Sequence, residues 1–489
     1  MAWYECLSAE DRSFLLVETP HAHMHVGGAT MLELGALATP QGGLDMEQVR
    51  RYIAAHLHLM PRYRQRLAYV PAFDRPVWVD DDHFNLAYHV RHVSVPRPGD
   101  DRQFKRLTGQ IMSQPLDRGR PLWELWFVEG LKGGRWGLVM KTHHCMVDGV
   151  SGVNLLSVLL RPSRDATVPD APRWRPRPIP AGAELLRDEM LRRATLPLQI
   201  GRGLLGVLRD PKGRVAELTG AAAGMWNALR KAIDLPSETP INGPIGPYRR
   251  CDWFTLELDH VKTIKRRLGG TVNDVIVAAI TGGCRRFFER RGIALSGMNV
   301  HAVVPVNIRT PAERQLMGNR ISVWVLALPL QTRDPVERLH AVSAATAQAK
   351  ASHEAAGSEF IFELASAIAP IFQLGMRMAE PIHPYNLIVS NVMGPGEPMY
   401  FAGAQSIEGY PMVPLFENQG VAIGSFSNVG KLFFGFNADW ELLPDLHDLV
   451  EAIRLDFAEL HQAARHGAYT LKQGKRPPRG SRRPPRARP

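Results

Sequence analysis

The sequence predicts two α/β lobes of related design, each a sandwich of mixed strands and helices. Three observations point there. Strand-like and helix-like segments alternate on both sides of one proline-dense stretch. That stretch, residues 161–182 (RPSRDATVPDAPRWRPRPIPAG), holds six prolines, which forbid regular helix or central strand. A chain of 489 residues is also long enough for two large units. With 45% hydrophobic and 22% charged residues the composition is that of an ordinary globular protein, which excludes a disordered, collagen-like or coiled-coil chain.

Before the proline stretch, Leu125 to Leu131 and Trp136 to Thr142 read as strands joined around Gly133-Gly134, and a helix is expected from about Ser151 to Leu160. After it, Leu218, Ala222, Met225, Trp226, Leu229 and Ile233 fall at helical spacing, with Arg230 and Lys231 on another side. Such a helix packs on its own domain or lies at a lipid interface. WFTLEL (253–258) alternates like a strand, and Asp259 is placed to cap a helix ending at Gly269-Gly270. A long helix is expected over 273–291, strands over 299–308, 321–330 and 385–392, and a helix over 335–352. Residues 421–437 read as a hairpin turning near Asn428-Val429-Gly430, and 445–465 as a closing helix. The expected organisation is a first lobe at 1–160, a linker and helical crossover at 161–240, a second lobe at 241–470 and a basic tail at 471–489.

The tail accounts for most of the net charge of +11. Eight Lys and Arg residues, no acid and five prolines lie between Lys472 and Pro489, which leaves the rest of the chain at +3. A disordered arm is expected, solvated or drawn to anionic lipid headgroups. No RNA-binding or zinc-finger motif accompanies it, so nucleic acid is not an expected partner. Cys6, Cys145, Cys251 and Cys284 are far apart and form no CxxC pair, which fits a reducing compartment. No apolar run is long enough to span a bilayer; Leu364 to Met376 is short and is broken by Ser366, Pro370 and Gln373. The N-terminus carries acids early and lacks a signal pattern, so a cytoplasmic protein is expected.

The most informative stretch is Lys141-Thr-His-His-Cys-Met-Val-Asp-Gly-Val-Ser-Gly152, where an apolar strand runs out into a loop. Adjacent histidines on extended chain point to opposite faces, so one of His143 and His144 can face a cleft while the other faces packing or solvent. A carboxylate at Asp148 can bind an arginine and fix the loop, and Gly149 can take backbone angles closed to other residues. By itself the pair is also compatible with two structural histidines. Metal binding is disfavoured, because the two rings diverge and neither a His-Glu-x-x-His helix nor a cysteine ligand is present. No GxSxG elbow occurs, and the apolar neighbours of Cys145 favour a buried, inert thiol.

His143-His144-Cys145-Met146-Val147-Asp148-Gly149 resembles the HHxxxDG signature of the CoA-dependent acyltransferase superfamily, which includes chloramphenicol acetyltransferase, carnitine acyltransferases and condensation domains. Further blocks resemble one branch, the bacterial wax ester synthase/acyl-CoA:diacylglycerol acyltransferase family. They are Leu7-Ser8 through Asp11, Ser13-Phe14-Leu15, Glu18-Thr19-Pro20 and Met24 to Gly28, then Pro115 to Arg118 and Pro121-Leu122-Trp123-Glu124. Asn242 to Gly246 with Arg249-Arg250, Asn273-Asp274, Val304 to Arg309 with Gly318-Asn319, and Ser390-Asn391-Val392 with Gly394-Pro395 continue the series. The likeness covers about 7–465 in order; the linker and tail are not part of it.

The resemblance implies two chloramphenicol-acetyltransferase-like lobes with mixed sheets and a substrate channel between them. It implies acyl transfer from acyl-CoA, a substrate and not a cofactor, to diacylglycerol or a long-chain alcohol, with no acyl-enzyme intermediate. His144 is then the general base, and an imidazole suits the task because its ordinary pKa lies near 6.5. Asp148 becomes an ion-pair anchor for the loop, with Arg64 and Arg66 as candidate partners. Asn273 and Asp274 either cap a helix or shape the opposite wall of the tunnel. Such greasy substrates imply peripheral attachment to the cytoplasmic face of a membrane or to lipid droplets. His143 and Asp148 also spell HxxxxD, the motif of the glycerol-phosphate acyltransferases, in which the first histidine is the base. A different hydroxyl acceptor or a carrier-protein donor, a hydrolase or transacylase, and a catalytically silent lipid-binding protein are the other readings.

Overall fold

A computed structural model describes residues 3–146, 155–209, 236–307, 321–351 and 385–466. The first half contains β1 (Glu5–Cys6), α1 (Ala9–Val17), β2 (His25–Glu33), α2 (Met46–His56), β3 (Gln65–Val70), β4 (Arg75–Asp80), α3 (Leu86–His89), β5 (Val90–Ser94), α4 (Asp101–Ser113), β6 (Trp123–Leu131), β7 (Arg135–His143), α5 (Leu155–Leu159), β8 (Leu160–Arg161) and α6 (Gly182–Arg209). The second half contains β9 (Arg249–Glu257), α7 (Leu258–Leu268), α8 (Val272–Arg290), β10 (His301–Asn307), β11 (Ile321–Ala327), α9 (Pro335–Ala351), β12 (Leu387–Met393), β13 (Tyr400–Phe401), β14 (Ala404–Met412), β15 (Val421–Asn428), β16 (Lys431–Asp439) and α10 (Leu446–His466).

The strands form a seven-stranded sheet (β5-β6-β7-β2-β14-β13-β8), a six-stranded sheet (β11-β10-β12-β15-β16-β9) and a small sheet (β1-β4-β3). Both large sheets are mixed: β5 runs parallel to β6 in the first, and β12 runs parallel to β10 and β15 in the second. Period-two alternation explains their layers. In the first sheet Leu32, Phe127 and Leu138 enter the core beneath α2, while Met31, Val128 and Val139 enter the core beneath α4. In the second sheet Ala302, Val304, Leu387 and Val389 meet the helices α7 to α10, while Val303, Ile388 and Ala422 face Ala22 and Met24 of the first half. That second face is the seam between the lobes. Helix α8 is apolar over Val275 to Ile280, all buried, as a helix between a sheet and other helices must be.

The two sheets are not co-extensive with the two halves of the sequence. Strand β14 comes from the second half yet pairs with β2 of the first, Tyr410 opposite Ala29 and Pro411 opposite Gly28. It also lies flat on the second sheet. A Cβ at Gly435 would sit 2.0 Å from the carbonyl oxygen of Pro411, and one at Gly424 would sit 2.9 Å from the Pro411 ring. The strand escapes a hydropathy reading because Gly409 and Pro411 interrupt it. Proline is tolerated there because β13 pairs only with Ala404 and Gln405, so most of β14 has one hydrogen-bonded neighbour.

The proline stretch forms no helix and is strapped to the first lobe. Arg177 forks onto Asp80 through Nε at 3.0 Å and Nη2 at 3.1 Å, and the Trp174 ring takes the Arg64 guanidinium 4.6 Å from its centroid. Asp259 does not cap α7. The helix begins at Leu258, with Glu257 at the cap position and Asp259 inside the first turn. β9 runs straight into the helix, and the Leu258 amide donates to Gly430 O at 2.8 Å, so the β15–β16 turn satisfies that orphan donor. No helix among the described residues is long and apolar enough to cross a membrane. The expected helix around 218–233, the segment 364–376 and the tail at 471–489 lie outside the described residues.

Candidate active site

β7 is a central strand, and its last residues are pinned from both sides. The His143 amide donates to Leu122 O at 2.9 Å beside β6, and the His144 amide donates to Met24 O at 2.8 Å beside β2. The chain then tightens into a 3₁₀ turn over His144–Met146, whose Cys145 and Met146 side chains are buried in the first-lobe core. The two rings therefore meet different partners.

The His143 ring faces inward and is 1% exposed. Its Nδ1 accepts the Cys145 amide at 3.1 Å, so its hydrogen is on Nε2. Nε2 lies 3.4 Å from the Glu18 carboxylate without the alignment of a hydrogen bond. Glu18 ends α1 and also receives Arg118 Nε at 3.1 Å, with a closer contact from the same guanidinium. Burial alone would raise the Glu18 pKa, but His143 and Arg118 outweigh it and hold the group at about 2. His25, opposite His143 in the sheet, accepts the Leu116 amide on Nε2 at 3.4 Å, and burial holds its pKa well below the ordinary value.

The His144 ring is partly exposed and stacks on Phe14 of α1, centroids 3.8 Å apart at 21°. Its Nδ1 is buried and, among the described residues, meets no partner beyond its own carbonyl. Burial, with a smaller contribution from the neighbouring His143, lowers the pKa to about 4. At neutral pH the ring is thus uncharged and its lone pair is available. Phe14 packs on the first-lobe core and also on the seam cluster of Met24, Val303, Ile388 and Ala422. The ring consequently sits where apolar surface of both lobes converges.

The other sequence-derived residues fall elsewhere. Asp148 and Gly149 lie outside the described residues. Of the two candidate arginines, Arg66 Nε is 3.8 Å from Asp81 and Arg64 stacks on Trp174. Asp274 closes a capping box with Thr271 and accepts Thr346 Oγ1 at 2.7 Å and Ser343 Oγ at 3.2 Å. It belongs to the helix layer on the face of the second sheet away from the seam. Asn273 is half-buried in the first turn of the same helix. Cys145 is buried, and burial raises its pKa well above the ordinary thiol value. Among the described residues no group of His, Cys, Asp and Glu could hold a metal ion. Sequence reasoning missed Phe14, Glu18 and Arg118 as neighbours of the histidine pair. All three stand inside matched sequence blocks, which was the available signal, but nothing local reveals what they touch.

A family model described as the wax ester synthase/diacylglycerol acyltransferase catalytic domain matches residues 7–276, and one described as the WS/DGAT C-terminal domain matches residues 317–461. A chain of Mycobacterium tuberculosis strain CDC 1551 that bears the name diacylglycerol O-acyltransferase is 32% identical over 473 residues, which covers 93% of this chain and 90% of that one. A second such chain, from M. tuberculosis strain H37Rv, is 29% identical over 480 residues, 96% and 98% of the two chains. Among solved structures, the wax ester synthase/diacylglycerol acyltransferase of Marinobacter aquaeolei VT8 matches with a TM-score of 0.68 at 24% identity, over 94% of this chain and 99% of that one. The first condensation domain of the calcium-dependent antibiotic synthetase matches with a TM-score of 0.57 at 15% identity, over 96% and 98%. At these identities the structural matches establish the fold, two chloramphenicol-acetyltransferase-like lobes.

Proposed function

The chain belongs to the wax ester synthase/diacylglycerol acyltransferase family, and on that premise we propose that it moves a long-chain acyl group from acyl-CoA to the free hydroxyl of diacylglycerol, with long-chain alcohols as a second class of acceptor. The observation that carries the mechanism is the His144 ring. It is neutral, stacked on Phe14 and seated at the seam between the lobes.

A hydroxyl is a poor nucleophile at neutral pH. His144 Nε2 takes its proton as the oxygen attacks the thioester carbonyl. The new ester C–O bond forms, the C–S bond breaks, and the proton passes from the imidazole to the departing CoA thiolate. No covalent acyl-enzyme and no resident cofactor take part. Proton transfer of this kind is worth roughly 10²–10⁴-fold, or about 3–5 kcal/mol of barrier. Much of the remainder comes from holding donor and acceptor together. The transient imidazolium lies over the Phe14 face, whose quadrupole favours a cation.

The HxxxxD alternative asks more of His143, whose Nδ1 is occupied and whose Nε2 faces a carboxylate in a buried site. Asp148 and Gly149 act in this reading as anchors of the HHxxxDG segment, and the hydrogen bonds of Asp274 favour a capping role for it. Because both substrates are lipidic, the enzyme works while peripherally attached to a membrane or droplet surface on the cytoplasmic side.

The test is turnover of radiolabelled acyl-CoA with diolein by purified variants. His144→Ala loses about 10²-fold or more while its melting temperature is unchanged. His143→Ala retains more activity but melts earlier, because it strips a partner from the buried Glu18 charge. A fully active His144→Ala protein overturns the assignment. Free acid released without an acceptor identifies a hydrolase instead, and dependence on a carrier-protein donor identifies a relative of the condensation domains.

A further inference from the structure

A groove lies on the helix side of the second sheet, lined by none of the residues around the histidine pair. It has a volume of about 560 Å³ and runs between α7 and α10. Its floor is apolar, from Leu256, Val261, Ile264 and Phe457. Its walls are basic: His260 on α7 faces Arg454, His461, Arg465 and His466 on α10. His260 and His461 stack with centroids 4.2 Å apart at 22°, two groups that repel when both are charged and that an anion bridging their ring edges would hold together.

The acids nearby are already paired, one of them with Arg454 of the groove wall. Glu451 pairs with Arg454 at 2.7 Å, Asp259 with Arg266 at 3.3 Å, and Glu459 with Arg286. Among the described residues no ion pair is made by His260, His461, Arg465 or His466. Leu455 is 45% exposed, one helical turn before Ala458 on the groove's own face, and presents apolar surface beside the basic wall. Helix α10 ends at His466, and the chain that follows carries eight Lys and Arg residues and no acid. The groove and that segment are therefore continuous in sequence and alike in charge.

We propose that this groove seats the phosphate headgroup of an anionic phospholipid and is the point at which the chain docks on a membrane surface. His461, Arg465 and His260 hold the phosphate, the apolar floor takes the first carbons beneath it, and Leu455 enters the interface. The inference rests on the reading that the substrates are lipids, and it names the surface that delivers them. Burial, with His260 and Arg465, lowers the His461 pKa in the free groove; bound phosphate favours the protonated ring, so docking tightens as pH falls. The charged groups facing those rings are Asp259 from α7 and Arg454, Arg465 and His466 from α10; β9 contributes only Thr255 and Leu256.

The experiment is co-sedimentation of the full chain with vesicles of phosphatidylcholine, with and without phosphatidylglycerol, alongside turnover on detergent-dispersed diolein. Binding should require phosphatidylglycerol and be tighter at about pH 6 than at about pH 8. Arg465→Gln should weaken it about fivefold, and His461→Asn further at the lower pH, with detergent turnover and melting unchanged. Ala458→Trp fills the groove at constant charge and should weaken it as well. Variants that bind like the parent overturn the proposal and leave the tail as the sole basic attachment. Binding of inorganic phosphate at the groove with no phosphatidylglycerol-dependent sedimentation overturns the membrane assignment in favour of a soluble phosphate ligand. Absent turnover in detergent by the parent chain refutes the enzyme reading without touching the vesicle result.

Discussion

His144 holds its lone pair free because it is poorly solvated, and this has a measurable consequence. Its pKa is lowered to about 4, chiefly by burial. A base with a lowered pKa is protonated only at lower pH, so activity should persist through the mildly acidic range. It should fall as pH drops through about 4, not through the 6.5 of a free imidazole. The pH profile of kcat/KM with a soluble short-chain acceptor checks this, and an acid limb near 6.5 would place the ring in water. Glu18 is consistent with that window, since its carboxylate stays ionised down to about 2. At this scale the histidine pair was legible as a pair whose two rings have different surroundings, although only His143 lies on extended chain. Which of them meets Phe14 and which meets Glu18 was not, because both partners stand in and just after α1, far upstream, and meet the pair only through the folded sheet.

Elements were legible where local chemistry decided them. The β15–β16 hairpin turns at Val429 and Gly430, with φ of +43° and +75°, the paired left-handed residues of a type I′ turn. Glycine adopts that conformation freely and valine does not. Val429→Asn should therefore stabilise the protein by about 1 kcal/mol, read as a higher urea midpoint with an unchanged slope. A lowered midpoint would show that the exposed valine contributes contacts that outweigh its strain. The start of α7 was misread for a related reason. A side-chain cap was expected at Asp259, but the helix starts one residue earlier, and its first amide, that of Leu258, is satisfied by Gly430 of this same hairpin. Caps supplied by distant backbone leave no trace in the local sequence.

At the scale of the whole molecule, two lobes were legible from alternating patterns on either side of the prolines, while the exchange of β14 between them was not. The strand carries Gly409 and Pro411, and what stabilises it is its fit against two sheets at once. Gly435→Ala drives a Cβ into the Pro411 carbonyl and should cost about 1–3 kcal/mol, with turnover reduced as the lobes shift. Gly396→Ala, where a Cβ meets nothing within 4 Å, is the matched control. Parallel melting and turnover measurements decide it, and equal behaviour of the two would mean that the strand crossing tolerates slack. The crossing also governs how the polypeptide is made. β2 has β7 on one side from early in synthesis, but its other side stays bare until the ribosome has delivered residue 412. The nascent first half thus waits with an open hydrogen-bonding edge, the kind of surface that recruits chaperones or neighbouring chains, and a fragment cut at the linker would inherit that stickiness permanently.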